Sequence, residues 1–296
     1  MTSSPVVAGL GEMLWDVYPD GAHFGGAPAN FACHAASLGA ESWMVSAVGD
    51  DTLGQRALDS LGTLGVRCDL VERDPVHPTG RVLVTLDADG QPQYEIERDT
   101  AWDHLAWSDE LARFATRCDA VCFGSLAQRS PASRATIRRF LEAVPRPALR
   151  VFDVNLRQRF YDRDVIESSL ALASGVKLND EELPIVAELC GIESGAPRET
   201  MRALMARYGL RIAALTRGPR GALLLGEEGD DECSAPRSIA VDTVGAGDSF
   251  TATMVMGVLR GLPLDRINRH ANAVASFVCS QAGATPAIPD ALRTFA

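Results

Sequence analysis

Short apolar runs recur along the chain, and each is followed by a stretch with helical periodicity. This alternation constrains the fold more than any other feature of the sequence. It predicts strands at 6–10, 43–48, 120–123, 149–153, 175–178 and 212–216. Helices are predicted from Pro28 to about Gly39, then at 52–64 and about 131–143, 164–173, 180–190 and 198–208. Parallel strands need crossover connections, and crossover helices cover both faces of a sheet. The expected fold is therefore α/β, a central mostly parallel sheet flanked by helices on both faces. Strands at 221–226 and 237–241 and helices at about 247–260 and 265–281 complete the pattern. The segments 81–86 and 93–97 break it. They read as a hairpin with Asp87-Ala88-Asp89-Gly90 at the turn. Together with the segment near 16–24 they form a small β-sheet excursion, drawn from about 12–24 and 81–98, on what reads as one domain over 1–296.

Charge and composition exclude several classes. Lys and Arg total 28 against 39 Asp and Glu, a net charge of −11. That balance argues against nucleic-acid binding, which needs a basic footprint. No apolar run is long enough to span a membrane, and residues 1–5 carry no basic segment leading into an apolar core, so neither membrane insertion nor secretion is expected. Seven scattered cysteines without a C-x-x-C pair read as reduced thiols of a cytoplasmic chain. The five histidines lack metal-ligand spacing, so no zinc site is expected. Lys177 is the only lysine, and it follows no glycine-rich loop. A Walker A enzyme and a protein kinase are thereby excluded. G-x-S-x-G is absent as well. Gly9-x-Gly11 lacks the third glycine of a dinucleotide fingerprint, since Leu14 stands there.

Three segments could carry chemistry. In Val241-Asp242-Thr243-Val244-Gly245-Ala246-Gly247-Asp248-Ser249-Phe250, small residues lead into a helix whose first N–H groups could hold an anion. Asp248 is either an acid complementing the helix dipole or a base beside that anion. A base with charge-stabilising donors is what phosphoryl transfer to an alcohol requires. Gly25-Gly26-Ala27-Pro28-Ala29-Asn30 is either a turn with a helix start or a binding loop. Thr216-Arg217-Gly218-Pro219-Arg220-Gly221 is either a turn between strands or a seat for a phosphate chain.

The segment from Gly25-Gly26-Ala27-Pro28-Ala29-Asn30 through Val48-Gly49-Asp50-Asp51, together with Asp242-Thr243-Val244-Gly245-Ala246-Gly247-Asp248-Ser249-Phe250, resembles the two signatures of the ribokinase-like (PfkB) sugar kinases. The likeness runs over 11–289, with the motifs in order. Gly11-Glu12-Met13-Leu14-Trp15-Asp16 and Gly283-Ala284-Thr285-Pro286 are most similar to bacterial fructokinases. The resemblance implies a ribokinase-like fold with a β-sheet lid, and an ATP-dependent kinase phosphorylating a sugar hydroxyl, fructose to fructose 6-phosphate. It implies Asp248 as catalytic base, with Gly245, Ala246 and Gly247 as the anion hole. Asp16, Gly26 and Asn30 would bind sugar, Arg98 would reach it from the lid, and Asn155 and Arg157 of Asp153-Val154-Asn155-Leu156-Arg157 would lie near the phosphate path. Thr216, Gly218, Gly221 and Asn272 would bind nucleotide. Asn179 and Glu182 match the N-x-x-E motif that organises Mg²⁺ through water. Asp242, Val244, Val278, Gln281 and Gly283 match a monovalent-cation (K⁺) loop, although Ala287 stands where the family often carries a polar residue. A homodimer through the lid is a further expectation. The alternatives are a 2-keto-3-deoxygluconate kinase, a nucleoside kinase, and a non-catalytic sugar- or nucleotide-binding regulator.

Overall fold

The structure is a computed structural model describing residues 4–18, 21–86, 92–193, 195–227 and 229–295. The chain begins with β1 (Val6–Leu10), whose last four residues are buried. A strand with no polar side fits a sheet covered on both faces. Strands β2 (Leu14–Tyr18) and β3 (Gly21–Gly25) leave this layer, and α1 (Ala27–Ser37) returns to β4 (Glu41–Gly49). Helix α2 (Thr52–Thr63) starts where the Asp51 carboxylate accepts from Gly54 N at 2.7 Å. It leads to β5 (Val71–Asp74), after which β6 (Gly80–Leu86) and β7 (Pro92–Ile96) make a second departure. The regular alternation then runs α3 (Asp109–Ala115), β8 (Ala120–Phe123), α4 (Pro131–Ala143), β9 (Leu149–Asp153), α5 (Arg163–Leu172), β10 (Gly175–Asn179), α6 (Glu182–Leu189), α7 (Pro197–Tyr208) and β11 (Ile212–Thr216). The remaining elements are β12 (Ala222–Gly226), β13 (Asp230–Cys233), α8 (Ala246–Leu259), α9 (Leu264–Cys279) and α10 (Asp290–Arg293).

The large sheet has nine strands in the order β13-β12-β11-β10-β9-β8-β1-β4-β5. It is parallel from β5 to β11, and β12 and β13 add antiparallel at one edge. Alternate residues of each strand feed opposite layers. Val7, Cys122 and Val151 pack with Phe31, Phe250 and Met254 of α1 and α8. Leu10, Val121 and Phe152 pack instead with Phe114, Ile137 and Phe140 of α3 and α4. Full burial of such a side chain contributes about 1.5–3 kcal/mol. Among the described residues, no helix is long and apolar enough to cross a membrane.

The structure corrects one expected strand. Residues 237–241 form none, because β13 already occupies the edge of β12. With no partner strand, Ile239 and Val241 stay 86% and 65% exposed. The edge strands β5 and β13, the short helix α10 and the helix α3 were not expected. Helix α3 starts where the Ser108 hydroxyl accepts from Leu111 N at 3.1 Å.

A separate four-stranded sheet, ordered β3-β2-β6-β7, holds the two departures together. Here β2 pairs parallel with β6, and the other two pairings are antiparallel. The turn expected at 87–90 lies outside the described residues, as do the side chains of Thr85 and Leu86. Val82 and Val84 are buried within this same chain, and Val82 packs with Leu14, Ile96 and Trp102. A second subunit is therefore not needed to cover that face of the hairpin.

Candidate active site

The carboxyl ends of parallel strands are where open α/β sheets bind ligands. At this edge the chain places Glu12 after β1, Asp153 at the end of β9, Asn155 and Arg157 just beyond it, Asn179 closing β10 and Thr216 closing β11. The N-termini of α1 and α8 supply the opposing groups. Asn30 Nδ2 donates to Asp248 Oδ2 at 2.8 Å across a sequence separation of 218 residues. Glycine is required at both helix starts. Gly26 has φ 112° and Gly245 has φ 78°. A Cβ on Gly26 would lie 2.5 Å from Glu12 O, and one on Gly245 would lie 2.1 Å from Ala284 O. The first-turn N–H groups of α8 have no acceptors within the helix and point outward.

Asp248 sits in that first turn, half-buried. Its pKa is pushed up to about 6, first by loss of solvent and then by the Asp153 carboxylate; the bond from Asn30 and the cations Lys177 and Arg157 pull it back. Behind it lies a buried ion pair. Lys177 Nζ stands 3.0 Å from Asp153 Oδ1, and Thr251 Oγ1 donates to Asp153 Oδ2 at 2.8 Å. Burial opposes the charge on Lys177, but Asp153, Glu182 and Asp248 outweigh it and its pKa rises. A Cβ on Gly247 would meet Lys177 Nζ at 2.8 Å, so the ammonium lies against the first turn of α8.

Asp16, on β2, lies over the entry to α1: a Cβ on Gly25 would be 3.0 Å from Asp16 Oδ2. Its pKa is raised by burial and lowered by Arg157 and His23. Arg157 also lowers the pKa of Glu12 and Asp248, although it is exposed and, among the described residues, its guanidinium donates to Leu156 O at 3.2 Å and forms no ion pair with these carboxylates. Asn155 holds φ 43°, a left-handed conformation that asparagine tolerates better than most residues. Asn179 and Glu182 cap each other. Asn179 Oδ1 accepts from Glu182 N at 2.8 Å, while Glu182 Oε2 accepts from Asn179 N at 2.9 Å. Glu182 Oε1 accepts from Leu156 N at 2.8 Å.

Other expected site residues have different surroundings. Arg98 extends over the Phe160 ring at 5.1 Å, and among the described residues no hydrogen bond or ion pair joins it to Asp16, Asn30 or Asp248. Thr216 Oγ1 donates to Leu178 O at 3.4 Å, and Gly218 and Gly221 take positive φ in the turn that follows. Asn272 is buried, with Nδ2 donating to Asn268 O and Oδ1 at 2.9 Å each. Its amide N–H groups are thus engaged within α9.

The residues matched to a cation loop do come together. Asp242 Oδ1 accepts from Val244 N at 3.0 Å and Oδ2 from Gly283 N at 3.1 Å. Gln281 N donates to Val278 O at 3.0 Å. His34 of α1 contacts Ala284 O at 2.9 Å, and burial lowers its pKa to about 4, so it is neutral at pH 7 and donates.

The model of the pfkB family of carbohydrate kinases matches residues 21–291. The chain belongs to that family. It is 33% identical over 269 residues to a fructokinase of Klebsiella pneumoniae, covering 86% of this chain and 85% of the relative. A sugar kinase of Pyrococcus horikoshii superposes with a TM-score of 0.80 at 27% identity, covering 95% of this chain and 93% of that one. A fructokinase of Vibrio cholerae O395, solved in fructose-, ADP- and calcium-bound form, superposes with a TM-score of 0.78 at 25% identity, covering 98% of each. The fold of this pfkB carbohydrate kinase is ribokinase-like, as its signatures imply.

This pfkB kinase also carries a charged group that its motifs did not assign. Glu12 is 2% exposed, and among the described residues its Oε2 has no hydrogen-bond partner. Burial raises its pKa from the ordinary 4.5 to about 7. Its place at the end of β1, on the ligand-binding edge, was the available signal. The folded chain favours neutral Glu12, so its stabilising contribution is complete below pH 4.5 and is lost as pH rises through about 7. Glu12→Gln should therefore stabilise the protein at pH 8, by up to about 3 kcal/mol, and do little at pH 4.5. Urea unfolding at the two pH values measures this, and equal effects at both would refute it.

Proposed function

We propose that this chain is an ATP-dependent sugar kinase that phosphorylates fructose at O6. The observation that carries the reading is the Asn30–Asp248 pair beside the open first turn of α8. In the proposed reaction, Asp248 takes the proton of the acceptor hydroxyl. The hydroxyl oxygen then bonds to the γ-phosphorus, the bond from the γ-phosphorus to the bridging oxygen breaks, and ADP leaves. N–H groups of the Gly245-Ala246-Gly247 segment stabilise the charge on the transferred group. Asn30 orients the Asp248 carboxylate, and Asp16 and Gly26 line the sugar side. Thr216, Gly218 and Gly221 seat the nucleotide in this reading, and relatives solved with ATP or ADP support a nucleotide substrate. The small sheet carries Asp16, and its closing over sugar would exclude water. Sedimentation at micromolar protein measures whether two copies pair through it.

Magnesium fits at Glu182. Each carboxylate oxygen accepts one backbone N–H, which leaves acceptor capacity for a metal-bound water. The ion, when bound, neutralises phosphate charge. Glu182→Gln should raise the Mg²⁺ concentration for half-maximal activity by about tenfold or more, and an unchanged titration would remove Glu182 from the site. Potassium would take oxygens of the 242–244 and 278–283 loops.

Fructose rests on the fructokinase relatives. The second reading, 2-keto-3-deoxygluconate, draws on Arg157, an exposed cation beyond the end of β9 that lowers the pKa of Asp16 and Asp248 and could face a substrate carboxylate. An ADP-release assay across fructose, 2-keto-3-deoxygluconate, ribose, glucose, fructose 6-phosphate and adenosine decides. Fructose should give the highest kcat/KM. A tenfold advantage for the keto acid would replace it.

A further inference from the structure

Where the chain enters β6 and where it leaves β7, two histidines stack. The rings of His77 and His104 lie 3.5 Å apart between centroids and 8° from parallel. Asp99 stands beside both, its Oδ1 2.7 Å from His104 Nε2 and 3.8 Å from His77 Nε2. One donor atom from each of the three residues lies within 4.8 Å of the others. Sequence spacing hides this group, because the loop before β6 and the turn after β7 meet only in the fold.

The protons around His77 can be assigned. Asp74 Oδ1 accepts from Val76 N at 2.7 Å and His77 N at 3.0 Å, while Asp74 Oδ2 lies 2.7 Å from His77 Nδ1. A carboxylate so placed accepts, so neutral His77 carries its proton on Nδ1. Its Nε2 lone pair is then bare and faces the Asp99 carboxylate beyond hydrogen-bond length. Asp99 Oδ1 already takes the His104 N–H, and a cation reaching all three atoms would satisfy the bare His77 Nε2 as well. The carboxylate on Nδ1 is the outer partner that fixes the tautomer of a metal-binding histidine. Asp99 is 77% exposed and holds φ 58°, so the group opens to solvent. His104 ends a short turn anchored by the buried pair of Asp103 with Arg129, at 2.7 Å.

We propose that His77 Nε2, His104 Nε2 and Asp99 Oδ1 bind a divalent transition-metal ion of the zinc class, with water in the fourth position. Two imidazoles, one carboxylate and a water suit a tetrahedral borderline ion. Bonds of about 2.1 Å put donor atoms about 3.4 Å apart, so the stacked rings must tilt, His104 Nε2 and Asp99 Oδ1 spread from 2.7 Å, and His77 Nε2 and Asp99 Oδ1 close from 3.8 Å. His104 shifts its proton from Nε2 to Nδ1 as it ligates. The ion joins the chain entering β6 to the chain leaving β7, and so fastens the small sheet at its base. Among the described residues, no hydrogen bond or ion pair links this group to Asp248, Asn30 or Asp16. The site is thus independent of the phosphoryl-transfer reading.

The test is calorimetric titration of Zn²⁺ into the metal-stripped full chain without nucleotide, for wild type, His104→Gln and Asp99→Asn. Co²⁺ absorption spectra are recorded in parallel. Wild type should bind one ion and melt at a higher temperature with Zn²⁺. Each variant should fold as wild type does, bind about tenfold or more weakly, and lose the zinc-induced shift. The cobalt spectrum should show nitrogen–oxygen ligation without a thiolate charge-transfer band. Equal affinity in wild type and both variants, a thiolate band pointing to cysteines, or no binding by wild type would each overturn the site.

Discussion

Asp248→Asn is expected to lower kcat by about 10²–10⁴-fold, the usual effect of removing a general base, while leaving the fold and most ATP binding in place. The amide is nearly isosteric, and its oxygen can still accept from Asn30 Nδ2, so the 2.8 Å contact between the two helix starts has a replacement. What disappears is a group able to take the acceptor proton. Stability at neutral pH should not fall, since burial and the Asp153 carboxylate already disfavour charge at this position. The same physics sets the pH profile. With the Asp248 pKa near 6, wild-type kcat/KM should decline below that value as the base is protonated. Steady-state kinetics from pH 5 to 8 tests both statements. A variant keeping a third of wild-type kcat would remove Asp248 from its role.

The fold was legible wherever burial is two-sided. Strands such as β1 and β8 have no polar side chains, and only a covered parallel sheet accommodates such runs. The same logic misread 237–241, because an apolar run becomes a strand only if an edge is free to receive it. At the site, the small-residue segments marked both helix starts. Placing Asn30 against Asp248 took the whole topology, since α1 and α8 pack on the same face of the sheet. Glu12 and Lys177 were seen as residues but not as neighbours of Asp248. A lone charge in an apolar run does not announce its surroundings, and the partner of Lys177, Asp153, comes from another strand. Arg98 sits where a lid residue was expected, yet Phe160 offers its guanidinium an aromatic face.

Lys177→Met should destabilise the protein by about 3–5 kcal/mol, the cost typical of leaving one member of a buried ion pair alone. Lys177 and Asp153 are 6% and 4% exposed, so water cannot replace the missing ammonium around the carboxylate. Thr251 Oγ1 would still donate to Asp153 Oδ2, but Oδ1 would lose its partner at 3.0 Å. Adding Asp153→Asn to Lys177→Met should recover much of the loss, because a neutral amide removes the unpaired charge. Urea unfolding of both single variants and the double variant measures this coupling. A loss below about 1 kcal/mol for Lys177→Met would mean that the pair is solvated as surface pairs are. The kinetics should respond in opposite directions. Lys177 lowers the Asp248 pKa and Asp153 raises it. The acid limb of kcat/KM should therefore move to higher pH in Lys177→Met and to lower pH in Asp153→Asn. A purely structural pair would leave that limb in place in both variants, so the direction of the shift separates packing from tuning of the base.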